Sequence, residues 1–255
     1  MHTLALTASQ IRYVNKAYWR NPARAFFTFA FPLLLLVIFT ALLGNGTIHI
    51  GTSTVKLSTY YVAAMASFGV ISACYINIGI SISYQRDAGI LKRIDGSPLP
   101  KTSFMASRML HSLFVVVLLV VITAAFGRAS YGAHIPRGMP LLEFVVMLLV
   151  GAVTFCALGL AITAFVPNTD AAAPIVNATM LPLLFLSGVF IPFGNRTPAW
   201  IIWIARIFPV RHFAAGMQAG FLGTPFDWSD VAVVAAWGVV GLLVAVRFFT
   251  WEPAR

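Results

Sequence analysis

The chain of 255 residues is 60% hydrophobic and only 9% charged, whereas an ordinary soluble domain carries about 25% charged residues. So few polar groups cannot cover a soluble protein, which excludes a soluble enzyme, a disordered chain and a disulfide scaffold. An integral membrane protein remains. The 17 lysines and arginines outnumber the 7 acidic residues, but they lie between long apolar runs, as membrane topology requires, and not along one nucleic-acid-binding face.

Six apolar segments have about the 20 residues that a helix needs to cross the hydrocarbon core. We therefore predict an all-α, polytopic integral membrane protein that forms a single transmembrane domain over residues 1–255. The predicted spans are about 25–43, 60–82, 109–127, 144–166, 171–193 and 231–249.

A seventh apolar segment, 198–222, contains Arg206, Pro209 and Arg211. Because charges facing lipid are costly, we predict a re-entrant helical hairpin in the outer leaflet between spans 5 and 6; a complete crossing is the alternative. Lysine and arginine are enriched at the N-terminus and in the connection between spans 2 and 3. The positive-inside rule then predicts both termini in the cytoplasm, with the chain in the cell membrane.

Residues 4–24 precede the first span and carry Arg12, Lys16, Arg20 and Arg24, one every four residues. On a helix these cations occupy one side, which predicts an amphipathic helix lying on the inner membrane face. Asn21-Pro22 is expected to end it. Simple anchoring and contact with a cytoplasmic partner are both compatible with this pattern.

The connection 84–107 is longer than a link between two helices requires. It has helical character from Gln85 to Ile94. Ile90, Leu91 and Ile94 form a small apolar face, and the charged residues Arg86, Asp87, Lys92 and Arg93 form the polar remainder. Gly96-Ser97-Pro98 is expected to stop the helix. A peg that docks on a cytoplasmic partner and a solvated loop are both open interpretations.

Two further groups of residues are candidates for a transport pathway. The segment after span 5 combines aromatic residues with breaks such as Gly188 and Pro192, which suits an outer gate or an aromatic belt over a loop. The few polar residues inside the spans line a substrate pathway or bond to other helices. These residues are Asn77, Ser81, Asn177 and Ser187.

The sequence lacks recognisable catalytic or nucleotide-binding motifs. It contains no H-E-x-x-H, no G-x-S-x-G and no G-x-x-x-x-G-K-[ST], so no catalytic or metal residue is assigned. Asp227 and Asp230 form a D-x-x-D just before the last span, where a helix cap by Asp227, Ser229 or Asp230 is expected instead of a metal site. Cys74 and Cys156 lie inside apolar runs, where a disulfide is not expected.

Three segments carry a family resemblance: RNPARAFFTFAFPLLLLVIF, GILKRIDGSPLPKTSF and LSGVFIPFGNRTPAWIIWIARIFPVRHFAAGMQ. In this order around six spans, the whole chain resembles the permease subunits of ABC type 2 transporters, which include bacterial drug and lipid exporters. The third segment, with S-G-x-x-x-P before P-x-W, is the most specific match. The chain differs from the family at Arg86 and Lys92, where acidic residues are frequent.

The resemblance implies a pathway between two permease subunits, in a homodimer or a heterodimer, each seated on one ATP-binding cassette subunit. That partner would bind ATP and Mg, and this chain would hold no cofactor. Membrane lipids are further partners and nucleic acid is not. The implied coupling residues are Arg86, Asp87, Gly89, Ile90, Leu91, Arg93, Ile94, Ser97 and Pro98. The implied outer gate consists of Gly188, Pro192, Trp200, Arg206, Pro209 and Arg211.

These inferences predict the non-enzymatic, membrane-spanning subunit of an exporter that moves an amphipathic or lipophilic molecule outward, driven by ATP hydrolysis on a separate chain. A polytopic membrane scaffold or assembly factor is the alternative, and a membrane-embedded enzyme is a weaker one because its chemistry is missing from the sequence.

Overall fold

The computed structural model describes residues 2–50, 53–97, 99–193 and 197–251. Over these residues the chain is predominantly helical. The helices are α1 (His2–Trp19), α2 (Pro22–Leu43), α3 (Leu57–Ile71), α4 (Asn77–Asp87), α5 (Ile90–Asp95), α6 (Lys101–Tyr131), α7 (Met139–Ile162), α8 (Thr169–Phe185), α9 (Ala199–Ile207), α10 (Pro209–Leu222) and α11 (Trp228–Phe248). A π-helical turn, Ser72–Ile76, joins α3 to α4, and a 3₁₀ turn, Thr163–Phe165, follows α7.

The helices confirm a polytopic membrane architecture in its main features. Among the described residues, five helices are long and apolar enough to cross a membrane: Pro22–Leu43, Leu57–Asp87, Thr102–Tyr131, Met139–Phe165 and Trp228–Phe248. They correspond to predicted spans 1, 2, 3, 4 and 6. The break at Asn21-Pro22 is also confirmed, because α1 ends at Trp19 and the Asn21 side chain accepts a hydrogen bond from the Arg24 amide at the start of α2.

The fifth predicted span, 171–193, is shorter than expected. Helix α8 has 17 residues and ends at Phe185. The chain turns there because Gly188 adopts a left-handed φ of 81°, which few residues other than glycine tolerate. The Ser187 hydroxyl donates to the Leu184 carbonyl at 2.8 Å and satisfies one of the acceptors left free at the helix end.

The all-α prediction is wrong in one small element. After α2, strands β1 (Thr47–Ile50) and β2 (Ser53–Lys56) form an antiparallel hairpin, with Thr47 opposite Lys56 and Ile48 opposite Val55. Threonine, isoleucine and valine favour extended backbone because their branched Cβ atoms restrict helical rotamers.

The central element is α3 with α4, and α8 runs antiparallel to it. Three hydrogen bonds show this: Asp87 bonds to Thr169, the Tyr75 hydroxyl lies 2.8 Å from the Thr179 hydroxyl, and the Tyr60 hydroxyl bonds to the Gly188 carbonyl. We call the end that contains α5 the α5 end, and the opposite end, which contains β1 and β2, the hairpin end. Trp251, the last described residue, lies at the α5 end, where its ring is 5.6 Å from that of Phe104 in the first turn of α6.

Helix α7 approaches the π-helical turn very closely. A Cβ added at Gly159 would lie 2.8 Å from the Cys74 carbonyl oxygen and 2.9 Å from that of Tyr75. Small residues permit such backbone contact between membrane helices. Cys74 and Cys156 are both buried and free in the structure.

The segment 198–222 consists of two helices that meet at Phe208-Pro209. Phe208 is extended, as a residue before proline usually is. Helix α10 is largely buried and packs on α7, where Gly216 faces Met147 and Gly220 faces Phe144. Helix α9 exposes Trp200 and Trp203. The aromatic-belt interpretation therefore fits α9, whereas α10 belongs to the core.

Candidate functional site

The predicted docking peg is a separate short helix, α5. The sequence predicted one helix from Gln85 to Ile94, but the backbone breaks at Ala88, and Gly89 precedes α5 with a left-handed φ of 69°. Glycine suits this position because a side chain would strain it. The Ser97 hydroxyl donates to the Ile94 carbonyl at 2.6 Å where α5 ends, and Pro98 lies outside the described residues.

The apolar face of α5 turns toward its own chain. Leu91 has no exposed surface and joins the core, and Ile94 packs partly against it. Ile90 is 38% exposed, and Lys92 and Arg93 lie on the exposed side. Leu91 therefore anchors α5, and the surface that α5 offers to a partner consists of Ile90 and Arg93 with their exposed neighbours.

Arg86 lies inside the protein, not on the surface of the connection. Its Nη1 donates to the Thr163 carbonyl at 2.9 Å and its Nη2 donates to the Val166 carbonyl. These acceptors lie in the 3₁₀ turn after α7 and just beyond it. The buried guanidinium therefore ties α4 to the end of α7, because both of its carbonyl acceptors lie where the regular helical hydrogen bonding of α7 ends.

Asp87 makes the matching connection to α8. Its Oδ2 accepts hydrogen bonds from the Thr169 amide and from the Thr169 hydroxyl, the latter at 3.0 Å. Its Oδ1 lies 3.6 Å from Nε of Arg86. Two adjacent side chains at the end of α4 thus hold the end of α7 and the start of α8, and α5 continues directly from them.

A pocket of about 330 Å³ opens at the α5 end beside the peg. We call it the basic pocket. Its lining comes from α1, α2, the central helix, α5 and α6. It includes Val14, Tyr18, Arg24, Asn77, Ser81, Tyr84, Gln85, Ile90, Arg108, His111 and Ser112. Two of the predicted pathway residues, Asn77 and Ser81, are therefore brought together here, whereas Asn177 on α8 and Ser187 do not line it.

Neutral side chains hold the two arginines of the basic pocket. Arg24 donates to the Asn77 side-chain oxygen, and Arg108 donates to the Gln85 side-chain oxygen. The guanidinium of Arg24 lies 5.5 Å from the centre of the Tyr18 ring, a cation–π distance. Burial raises the pKa of the Tyr18 phenol, which keeps that group neutral.

At the hairpin end, the turn after α8 is clamped from two sides. The Tyr60 hydroxyl donates to the Gly188 carbonyl, and Nη1 of Arg211 donates to the Ser187 carbonyl at 3.2 Å. The Arg211 guanidinium also lies 4.2 Å from the centre of the Phe193 ring. Three residues predicted from sequence, Ser187, Gly188 and Arg211, meet here, and we call this contact the turn clamp.

A family model described as ABC-2 type transporter matches residues 5–222, most of the chain. The chain belongs to the ABC-2 type transporter family. The inner membrane transport permease YadH of Escherichia coli is 26% identical over 227 residues, which cover 86% of this chain and 82% of that protein. A protein named probable multidrug ABC transporter permease YbhR, also from Escherichia coli, is 26% identical over 193 residues, 76% of this chain and 49% of that one.

The chain is thus a membrane subunit of an ABC transporter, and the family confirms the resemblance found in the sequence. Relatives of this kind are transport subunits and not enzymes. The remaining predicted gate residues of this permease are more dispersed than the turn clamp. Trp200 and Arg206 are exposed, Pro192 is half-buried, and Pro209 is buried at the start of α10.

Sequence reasoning missed a contact that fastens α10 to α11. His212 Nδ1 lies 2.5 Å from Asp230 Oδ1, and His212 Nε2 lies 2.8 Å from the Arg206 carbonyl. Asp227 caps α11, as predicted, by accepting a hydrogen bond from the Ser229 amide at 2.8 Å. That bond lowers the pKa of the Asp227 carboxyl. In the described part of the permease, no group of three potential metal ligands occurs.

Proposed function

We propose that this permease is the membrane-spanning subunit of an exporter that moves an amphipathic or lipophilic molecule outward. Two permease subunits would form the pathway, and each would be driven by a separate subunit that binds ATP and Mg. Both termini would lie in the cytoplasm, α9 would enter the outer leaflet, and α10 would return from it. The name of YbhR, a multidrug transporter permease, supports a drug-like cargo.

The observation that carries the proposal is the attachment of α5 to three helices. Leu91 anchors α5 in the core, and the last two residues of α4, Arg86 and Asp87, hold the end of α7 and the start of α8. Movement of α5 by a partner would therefore be transmitted to spans 2, 4 and 5 together. A solvated loop would not need these buried polar connections.

The exposed side of α5 defines the test. Replacing Leu91 with Asp would disturb the fold itself, because its side chain is fully buried. Arg93→Glu changes a side chain on the exposed side of α5 that does not line the basic pocket. Arg137→Glu, at an exposed position of the hairpin end, is the matched control for charge reversal.

We expect the Arg93→Glu variant to remain in the membrane while it loses co-purification with the ATP-binding subunit and substrate-stimulated ATP hydrolysis. The Arg137→Glu control should retain both. Full co-purification and hydrolysis in the α5 variant would remove the mechanical basis of the proposal and favour a scaffold or assembly role.

A further inference from the structure

The basic pocket holds two cations without an anion. Arg24 and Arg108 line it, and neither forms an ion pair with any residue that the structure describes. No acidic residue is among the described lining residues. The nearest acid along the central helix, Asp87, is already occupied by Thr169 and Arg86 on α8 and α4. Two guanidinium groups in one pocket at the α5 end therefore lack a counter-charge.

The imidazole of His111 provides a second, independent indication of a ligand. It is buried, its ring lies 5.1 Å from that of Tyr18, and neither of its nitrogens has a hydrogen-bond partner. Nε of Arg108, one turn earlier on α6, is also buried without a partner. Buried polar groups in native proteins are nearly always hydrogen-bonded, so the unpartnered N–H groups of Arg108 and of the His111 ring around one pocket indicate a missing acceptor.

The donors suit an anion with several oxygens. Guanidinium groups bind phosphate through paired N–H bonds, and Ser81 and Ser112 supply further hydroxyl groups in the same lining. The volume of about 330 Å³ accommodates a headgroup but not a long acyl chain. Apolar side chains such as Val14 and Val115 complete the lining, and exposed Tyr84 and Ile90 lie at its rim.

We propose that the basic pocket binds the phosphate group of an anionic amphiphile, with the phosphate between Arg24 and Arg108, beside His111, and the apolar tail outside the pocket. The proposal rests on the proposed function only for identifying this molecule as cargo. Binding itself requires neither ATP nor the ATP-binding subunit, so the two proposals can fail separately.

The test uses the full-length permease, purified in a neutral detergent, and displacement of a fluorescent short-chain phosphatidic acid. Unlabelled phosphatidic acid should displace this probe, and phosphatidylcholine, which carries no net charge, should not. Inorganic phosphate should displace it only at much higher concentration. Equal displacement by phosphatidylcholine would overturn the anion site, and equal displacement by inorganic phosphate would overturn the amphiphile.

Variants locate the site. Arg24→Gln and Arg108→Gln should each weaken probe binding about ten-fold or more, since hydrogen bonds between charged groups are lost. Arg93→Gln, which removes the same charge from an exposed position at the same end, should change it less than about two-fold. If a Gln variant does not fold, Arg24→Lys keeps the charge without the paired donors and should weaken binding by a smaller factor. Equal weakening by Arg93→Gln would show general charge attraction and overturn the proposal.

Discussion

Asp87 and Thr169 are joined by two hydrogen bonds to one carboxylate oxygen, although 82 residues separate them. The bonds satisfy an amide at the start of α8 that has no helical acceptor. They also connect α8 with the helix from which α5 continues. The same contact therefore stabilises the fold and fixes the position of the predicted coupling helix.

Replacing Asp87 with Ala should destabilise this junction by about 1.5–3 kcal/mol, because charge-assisted hydrogen bonds are lost and Arg86 loses its neighbouring carboxylate. We expect reduced substrate-stimulated ATP hydrolysis and a lower midpoint of thermal unfolding. The matched control is Asp170→Ala, which removes an exposed acid from the first turn of α8. Equal losses in both variants would show that only the charge at the helix start matters.

Gly159 should not tolerate a methyl group. Gly159→Ala would place Cβ against two main-chain oxygens, which cannot rotate away as a side chain can. We expect a loss of about 1–3 kcal/mol in unfolding by sodium dodecyl sulfate titration. Gly46→Ala is the control, because an added Cβ there meets no atom within 4 Å. A stable Gly159→Ala variant would indicate that α7 shifts away from the central helix without cost.

Substitutions of Arg211 and Arg206 distinguish the two interpretations of the outer segment, an outer gate and an aromatic belt over a loop. Arg211→Leu removes the donor to the Ser187 carbonyl in the turn clamp, at a cost of about 1–3 kcal/mol, and should reduce transport several-fold in a vesicle assay. Arg206→Leu changes an exposed side chain and should leave transport close to normal. Normal transport in the Arg211→Leu variant would contradict a gate at the turn clamp.

Cysteine labelling can test which end of the permease faces the cytoplasm. The two native cysteines are buried, so introduced thiols should dominate the reaction. Gly46→Cys, in the exposed link at the hairpin end, should react with an impermeant maleimide applied to intact cells. Gly96→Cys, at the end of α5, should react only after permeabilisation. External labelling at position 96 would reverse the proposed topology.

The spans follow from the sequence because apolar length alone determines them. Five of the six predicted spans correspond to membrane-length helices among the described residues. The exception is α8, which ends inside the predicted span and is followed by a turn through the left-handed Gly188. The sequence does carry the signal, since Ser187-Gly188 interrupts the apolar run. Span length and hydropathy do not predict this turn, because side chains distant in sequence, those of Tyr60 and Arg211, stabilise it.

The polar contacts were less accessible to sequence reasoning. Arg86 reads as a solvated residue among other charges, but its acceptors lie 77 and 80 residues away. The contacts of the basic pocket were also not predictable from neighbouring residues. In the sequence, Arg24 is the last of four cations spaced four residues apart. In the structure it lies in the first turn of α2, not in α1, and donates a hydrogen bond to Asn77, 53 residues later. Local periodicity contains no information about such partners, because packing between helices decides them.

The π-helical turn at Ser72–Ile76 sets the angular phase between the two halves of the second span. A π turn accommodates one residue more than an α-helix, and each residue advances an α-helix by about 100°. Tyr60 therefore reaches the turn clamp while Asn77 faces Arg24. In an uninterrupted α-helix the same two side chains would have a different angular separation and could not make both contacts. Straightening this turn into a regular α-helix without removing a residue would rotate α4 by about that angle, carrying Asn77 away from Arg24 and leaving Tyr60 in place.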